Sequence, residues 1–148
     1  MQRDAVLALT QTLKARAPTL LVEIETNGTI APSDALIANV DLFVVSPKLV
    51  HSGNDAARAL NEDSLSAFAS LETAHFKFVC QDESDVEAAA RLARHFAIAP
   101  TRVSIMPEGV TPAALNARTG ALIDAIAEHG FSYSDRLHIR LFGQQRGI

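Results

Sequence analysis

Residues 20–29 read LLVEIETNGT, an apolar strand pattern that acquires two carboxylates and then turns sharply. At the strand period of two, one face of this stretch is apolar and the other becomes charged. The apolar face holds Leu20, Val22 and Ile24, and the opposite face holds Leu21, Glu23 and Glu25. Asn27 and Gly28 tolerate positive φ, so the chain can leave the strand just beyond Glu25. The stretch therefore predicts a βα loop that holds a polar group at the end of a sheet strand.

The rest of the chain repeats this plan of strands followed by helices. The predicted elements are a helix over 4–16 with Val6, Leu9, Thr10 and Leu13 on one stripe, strands over 40–45, 75–80, 102–106 and 137–142, and helices over 62–71, 82–96 and 112–129. Strands alternating with helices of this length imply parallel βαβ units with right-handed crossovers. We therefore predict an α/β fold in which residues 1–148 form a single domain.

Composition narrows the class of protein. With 148 residues, 48% of them hydrophobic, the chain is long enough to bury one core. Seventeen acidic residues against thirteen basic ones, with no basic block, argue against nucleic-acid binding. The absence of a long apolar run and of a secretory pattern at the N-terminus predicts a cytoplasmic protein with no membrane partner. The single cysteine, Cys80, excludes an internal disulfide and a multi-cysteine metal site, and we expect a small buried hydrophobe there.

Every predicted strand is polar on one face at or near its C-terminal end. These polar residues are Glu23 and Glu25, Ser46 and Lys48, Lys77 and Gln81, Ser104 and Glu108, and His138 and Arg140. The opposite face, predicted to lie under the helices, is Val22 and Ile24, Phe43 and Val45, Phe76, Phe78 and Cys80, Val103 and Ile105, and Leu137, Ile139 and Leu141. Because βα folds bind ligands at the carboxyl ends of their strands, the polar face predicts a small-molecule site. Mutually neutralising ion pairs or a solvated edge are the alternative.

Short motifs in a fixed order carry a resemblance to a known family. They are ETNGT at 25–29, VSPK at 45–48 with SGN at 52–54, MPEG at 106–109, RLHI at 136–139 and the terminal FGQQRGI. Together they resemble the C-terminal part of the 7-carboxy-7-deazaguanine synthases, radical S-adenosylmethionine enzymes with an incomplete β/α barrel. The resemblance implies a lyase of the 7-deazapurine branch leading to queuosine-type tRNA bases. Such enzymes convert 6-carboxy-5,6,7,8-tetrahydropterin to 7-carboxy-7-deazaguanine with a [4Fe-4S] cluster, S-adenosylmethionine and magnesium.

The same resemblance implies roles for particular residues. It places S-adenosylmethionine against Ser46, Pro47, Lys48, Met106, Pro107, Glu108 and Gly109, with Glu25 and Asn27 as ribose contacts. It places the pterin against His138 and against the terminal carboxylate of Ile148. The alternatives are a solvated Lys48, an ordinary helix-start turn at 106–109, a structural His138 and a frayed C-terminus.

Parts of the family pattern are missing. The family's Cys-x3-Cys-x2-Cys motif is absent because the chain has only Cys80, and its Gly-Gly-Glu-Pro segment and magnesium ligand are absent too. Five strands also cannot close a barrel, so we expect open edges and a chain that is either marginally stable or self-associating. Three hypotheses remain: a start codon lies upstream, the chain is truncated and binds S-adenosylmethionine alone or beside a separate N-terminal half, or it is a small α/β binding or interaction domain. A homodimer is a possible assembly.

Overall fold

In the computed structural model, which describes residues 2–49 and 61–145, strands and helices alternate as the sequence predicts. In chain order the elements are α1 Gln2–Arg16, β1 Glu23–Thr26, α2 Asp34–Ile37, β2 Leu42–Val45, α3 Glu62–Ala69, β3 Ala74–Cys80, α4 Glu83–His95, β4 Val103–Pro107, α5 Pro112–Glu128, β5 Ser132–Tyr133 and α6 Leu137–Phe142. A turn of 3₁₀ helix, Pro100–Arg102, leads into β4. The short helix α2, capped by the Ser33 side chain, is absent from the sequence prediction.

The five strands form one all-parallel sheet in the order β1-β2-β3-β4-β5. Backbone bonds align the strand ends: Ser46 N donates to Thr26 O at 2.7 Å, and Glu108 N donates to Cys80 O at 2.9 Å. A sheet whose spatial order equals its chain order, with right-handed crossovers, carries its crossover helices on one face. The α/β fold class is therefore confirmed, and the arrangement is consistent with part of a β/α barrel.

The core confirms the predicted apolar face of β2 to β4, whereas on the first predicted strand Val22 is buried, Ile24 is half-buried and Leu20 is 40% exposed. Buried strand residues include Phe43 and Val45 on β2, Phe76, Phe78 and Cys80 on β3, and Val103 and Ile105 on β4. Residues of the other phase are half-buried or exposed. The rings of Phe43 and Phe68 meet edge to face, with centroids 5.5 Å apart, and fix α3 against β2. The helix-covered face is thus apolar, and the opposite face remains accessible for polar groups.

The predicted last strand over 137–142 is wrong, because Leu137–Phe142 forms the helix α6 and β5 is the two-residue segment Ser132–Tyr133. Leu137 and Leu141 are each 63% exposed, whereas Ile139 is buried. A six-residue run with alternating apolar side chains cannot distinguish a strand from a helix by periodicity alone. Consequently His138 and Arg140 lie on a helix beyond the sheet, not on a strand.

The first helix buries only part of the predicted stripe, because Thr10 and Val6 face the core whereas Leu9 and Leu13 do not. Leu9 and Leu13 are 57% and 37% exposed, while Thr10 is buried with its hydroxyl bonded to a backbone carbonyl. One turn further along, Lys14 pairs with Asp41, which sits between α1 and the start of β2. Val6 and Leu7 pack against the core on the same side of α1 as Thr10. Within residues 2–49 and 61–145, no helix combines the length and hydropathy that a membrane span requires.

A polar cleft at the carboxyl ends of the strands

A cleft of about 480 Å³ lies at the carboxyl ends of the strands. Its walls come from β1, β3 and β4, the loops that follow β1 and β2, and the start of α6. The lining residues are Glu25, Thr26, Asn27, Ser46, Lys48, Lys77, Val79, Met106, Arg136 and His138. Most of these side chains are polar, and three of them are cationic. The cleft therefore suits a polar ligand with anionic character.

The first wall of the cleft is the turn that ends β1. Gly28 adopts φ +76°, and a Cβ there would lie 2.8 Å from Val45 Cγ1. Asn27 Oδ1 accepts hydrogen bonds from Thr29 N at 3.1 Å and from Thr29 Oγ1 at 2.8 Å, and Thr26 Oγ1 accepts one from Gly28 N at 3.2 Å. The predicted sharp turn is confirmed. Because Asn27 Oδ1 is used within the turn, a ligand would meet the Asn27 side-chain NH₂ group.

The charged residues of the cleft are only partly neutralised. Lys77 reaches from β3 across β2 to form an ion pair with Glu25 on β1, so for this pair the ion-pair alternative is correct. The side chain of Glu25 remains 64% exposed. Lys48 and Arg136 have no carboxylate partner among residues 2–49 and 61–145. Three cations against one carboxylate leave the described lining with an excess of two positive charges.

The segment over residues 106–109, which is the end of β4 and the turn after it, is held in place beside the cleft by its contacts. Gly109 O accepts a hydrogen bond from Arg136 Nη1 at 3.1 Å, and a Cβ on Gly109 would lie 2.8 Å from Leu115 Cδ2. The Glu108 carboxylate lies 4.0 Å from Arg118 Nη2 instead of lining the cleft. A segment fixed in this way presents Met106 and its own backbone to a ligand without a large ordering cost.

The segment between β5 and α6 brings Arg136 and His138 to the cleft. Asp135 forms an ion pair with Arg140, whose Nη1 also donates to Asn116 Oδ1 on α5 at 2.7 Å. Burial alone would raise the pKa of Asp135, but hydrogen bonds from Arg140 and the Arg136 backbone lower it below its ordinary value. Asp135 is therefore a charged anchor that fixes the start of α6. Arg140, predicted to face the ligand, instead holds the helix.

The structure brings together some of the predicted site residues and separates others. Those that line the cleft are Glu25, Asn27, Ser46, Lys48, Met106 and His138. Pro47, Pro107 and Gly109 are buried beside it, and Glu108 turns to Arg118. Ile148 lies outside the described residues. The sequence prediction missed Thr26, Val79 and Arg136, although Arg136 opens the RLHI motif, and it assigned no ligand to Lys77.

The residues of this chain do not fit an iron-sulfur cluster. Such a cluster needs several cysteine thiolates, and the chain has one cysteine. Cys80 is fully buried in the core as predicted, and burial raises the pKa of its thiol to about 12, so it stays protonated. In the part of the chain that the structure describes, no group of three His, Cys, Asp or Glu side chains could hold a metal ion.

Comparison with known proteins gives consistent similarities. The 7-carboxy-7-deazaguanine synthase of Pyrobaculum aerophilum is 35% identical to this chain over 126 residues, covering 85% of the chain and 54% of that protein. Those of Halobacterium salinarum and Rhodopirellula baltica are 35% and 32% identical, covering 80% and 85% of the chain and 53% and 52% of the two proteins. No protein-family model matches the chain. The chain thus spans about half the length of the curated relatives it matches, and the resemblance to the C-terminal part of the 7-carboxy-7-deazaguanine synthases is confirmed.

Proposed function

We propose that the cleft binds S-adenosylmethionine and that this chain forms the S-adenosylmethionine-binding part of a 7-carboxy-7-deazaguanine synthase. The observation that carries the proposal is the convergence of Ser46, Lys48 and Met106 on one cleft in a chain similar to three such synthases. These residues come from two of the motifs that carry the resemblance. Their convergence supports one ligand contacting both motifs.

The chemistry of the cleft matches the parts of S-adenosylmethionine. Lys48 is a point cation at the end of β2, suited to the methionyl carboxylate, and the Ser46 hydroxyl beside it can donate or accept a hydrogen bond. Glu25 uses one carboxylate oxygen to accept from Lys77 and is exposed enough for the other to accept from ribose hydroxyls. The backbone at residues 106–109 is suited to the edge of an adenine ring.

The proposed substrate site is the side of the same cleft formed by α6. His138 can hydrogen-bond a pterin, and its place in the first turn of α6 is fixed by the Asp135–Arg140 ion pair. In the proposed whole enzyme, S-adenosylmethionine supplies the radical that starts the ring contraction of 6-carboxytetrahydropterin. Because no cluster fits this chain, the residues that generate the radical must come from another polypeptide segment. The cleft residues bind and orient the two small molecules.

One observation favours a second candidate function, a non-catalytic S-adenosylmethionine-binding or interaction domain. The single cysteine, Cys80, is sealed in the core with a thiol pKa of about 12. A chain acting alone therefore lacks the redox centre on which the radical chemistry depends, whereas ligand binding needs only the cleft.

Isolating the protein anaerobically from its natural source and measuring its composition and activity distinguishes the two candidate functions. We expect the 15.8 kDa sequence to occur within, or in complex with, an iron- and sulfide-containing polypeptide that forms 7-carboxy-7-deazaguanine from 6-carboxytetrahydropterin. The measurements are intact mass, iron content and product by chromatography. A chain of 15.8 kDa without iron, without a partner and without product would refute the enzymatic role and favour the second candidate.

A further inference from the structure

Arg136 has an unusual environment at the edge of the cleft. One end of its guanidinium, Nη1, donates to Gly109 O at 3.1 Å. Its Nε atom is shielded from solvent and has no hydrogen-bond partner among residues 2–49 and 61–145, and Nη2 makes no hydrogen bond to them either. A buried donor without a partner costs free energy comparable to a lost hydrogen bond. The Nε–Nη2 edge of Arg136 therefore offers two adjacent hydrogen-bond donors that have no acceptor in the described part of the chain.

The acceptor that best suits this edge is a carboxylate. The two parallel N–H groups of a guanidinium edge match the two oxygens of a carboxylate, and the resulting charge-assisted pair is stronger than a neutral hydrogen bond. The charge of the cleft also favours an anionic ligand group, because the described lining carries an excess of two positive charges. Asp135 does not neutralise Arg136, because its side-chain oxygens accept from the Arg136 backbone N–H and from Arg140.

Resting on the proposed function of the cleft, we propose that Arg136 binds a ligand carboxylate and selects ligands that carry one. Arg136 thereby connects ligand binding to the position of the segment over 106–109, because the same guanidinium also donates to Gly109 O. Because Nε is shielded from solvent, this binding requires a rotation of the Arg136 side chain that brings Nε to the ligand. The carboxylate has two possible sources, the methionyl group of S-adenosylmethionine and the carboxyl group of a pterin.

Pairs of ligands that differ by the carboxylate-bearing group test this proposal. The first pair is S-adenosylmethionine and 5′-methylthioadenosine, and the second is pterin-6-carboxylate and pterin. Binding to the 148-residue chain is measured by calorimetry for wild type, Arg136→Gln and Arg118→Gln. Arg118 is the matched control because it contacts the same segment through Glu108 without lining the cleft.

We expect Arg136→Gln to weaken the carboxylated member of one pair by roughly tenfold to a hundredfold and its partner by less than about threefold. The affected pair identifies the source of the carboxylate. Arg118→Gln should affect both members of each pair equally. If Arg136→Gln does not fold, as judged by circular dichroism, Arg136→Lys gives the same comparison with a smaller loss, because an ammonium keeps the charge but not the fork.

Equal weakening of both members of each pair by the Arg136 variant would overturn the inference, because Arg136 would then act only through the segment over 106–109. Unchanged binding of all four ligands would overturn it as well. A folded wild-type chain that binds neither carboxylated ligand would overturn both this inference and the proposed function. Binding of S-adenosylmethionine without any Arg136 effect would overturn the inference alone.

Discussion

Gly28→Ala should destabilise the protein by both backbone strain and steric overlap. Gly28 adopts φ +76°, where a Cβ costs about 1–2 kcal/mol. The new Cβ would also lie 2.8 Å from Val45 Cγ1 and 2.9 Å from Leu65 Cδ2, and both side chains are fully buried and cannot withdraw. Overpacking of this kind adds about 1–3 kcal/mol. The expected loss in the free energy of unfolding is therefore about 2–5 kcal/mol.

Two other glycines separate the two causes. Gly130 has a similar φ of +67°, but the nearest atom to its added Cβ is 3.8 Å away, so Gly130→Ala should cost only the strain of about 1–2 kcal/mol. Gly120 lies on the exposed side of α5 with no atom within 4 Å, so Gly120→Ala should stabilise by roughly 0.5–1 kcal/mol. Urea unfolding followed by circular dichroism gives all three values. A loss for Gly28→Ala no larger than that for Gly130→Ala would refute the proposed contact with the core.

Three further predictions concern stability and reactivity. Arg102→Ala should lower the free energy of unfolding in urea by about 2–4 kcal/mol, because this guanidinium donates to three backbone carbonyls. Arg94→Ala, which removes an exposed side chain, should change it by less than about 0.5 kcal/mol. Equal effects of the two substitutions would refute the structural role of Arg102. Cys80 should react with iodoacetamide only after unfolding, since burial raises its pKa to about 12, and rapid labelling of the folded protein would contradict its placement. The hydrogen bond with His129 lowers the pKa of Glu87 in the folded protein, so the free energy of unfolding should fall as the pH drops from about 4.5 through the lowered pKa of Glu87. Glu87→Gln should lessen this fall. A pH profile that is the same in the variant and the wild type would refute the pairing.

An element of the fold could be predicted from the sequence where its hydrophobic pattern was clear, and the prediction failed where the pattern was short. Phe43, Phe76 and Val103 are buried in β2, β3 and β4 as the strand period of two requires, although β2, LFVV, is apolar throughout. The run at 137–142 is short and alternates by chance, so its helix depends on contacts distant in sequence. The hydrogen bond from Arg140 to Asn116, 24 positions away, is such a contact, and no local pattern reveals it.

The candidate site was predictable where it follows directly from strand ends. Ser46 and Lys48 lie just beyond β2, and the parallel order brings them near Glu25 without further information. The pairing of Glu25 with Lys77 spans 52 positions and depends on the register of three strands. Arg136 reaches the cleft only because β5 is short and α6 begins beside it. Its unpaired Nε becomes visible only once the packing around it is known.

Calorimetric titration of the 148-residue chain with S-adenosylmethionine tests most directly whether this cleft binds that ligand through Lys48. We expect saturable binding to one site in the wild type. Lys48→Ala should weaken that binding by roughly tenfold to a hundredfold, because it removes a cation paired with the ligand carboxylate. Arg94→Ala, which removes an exposed charge away from the cleft, should leave it unchanged. A folded wild type without saturable binding, or Lys48→Ala binding as tightly as wild type, would contradict the account.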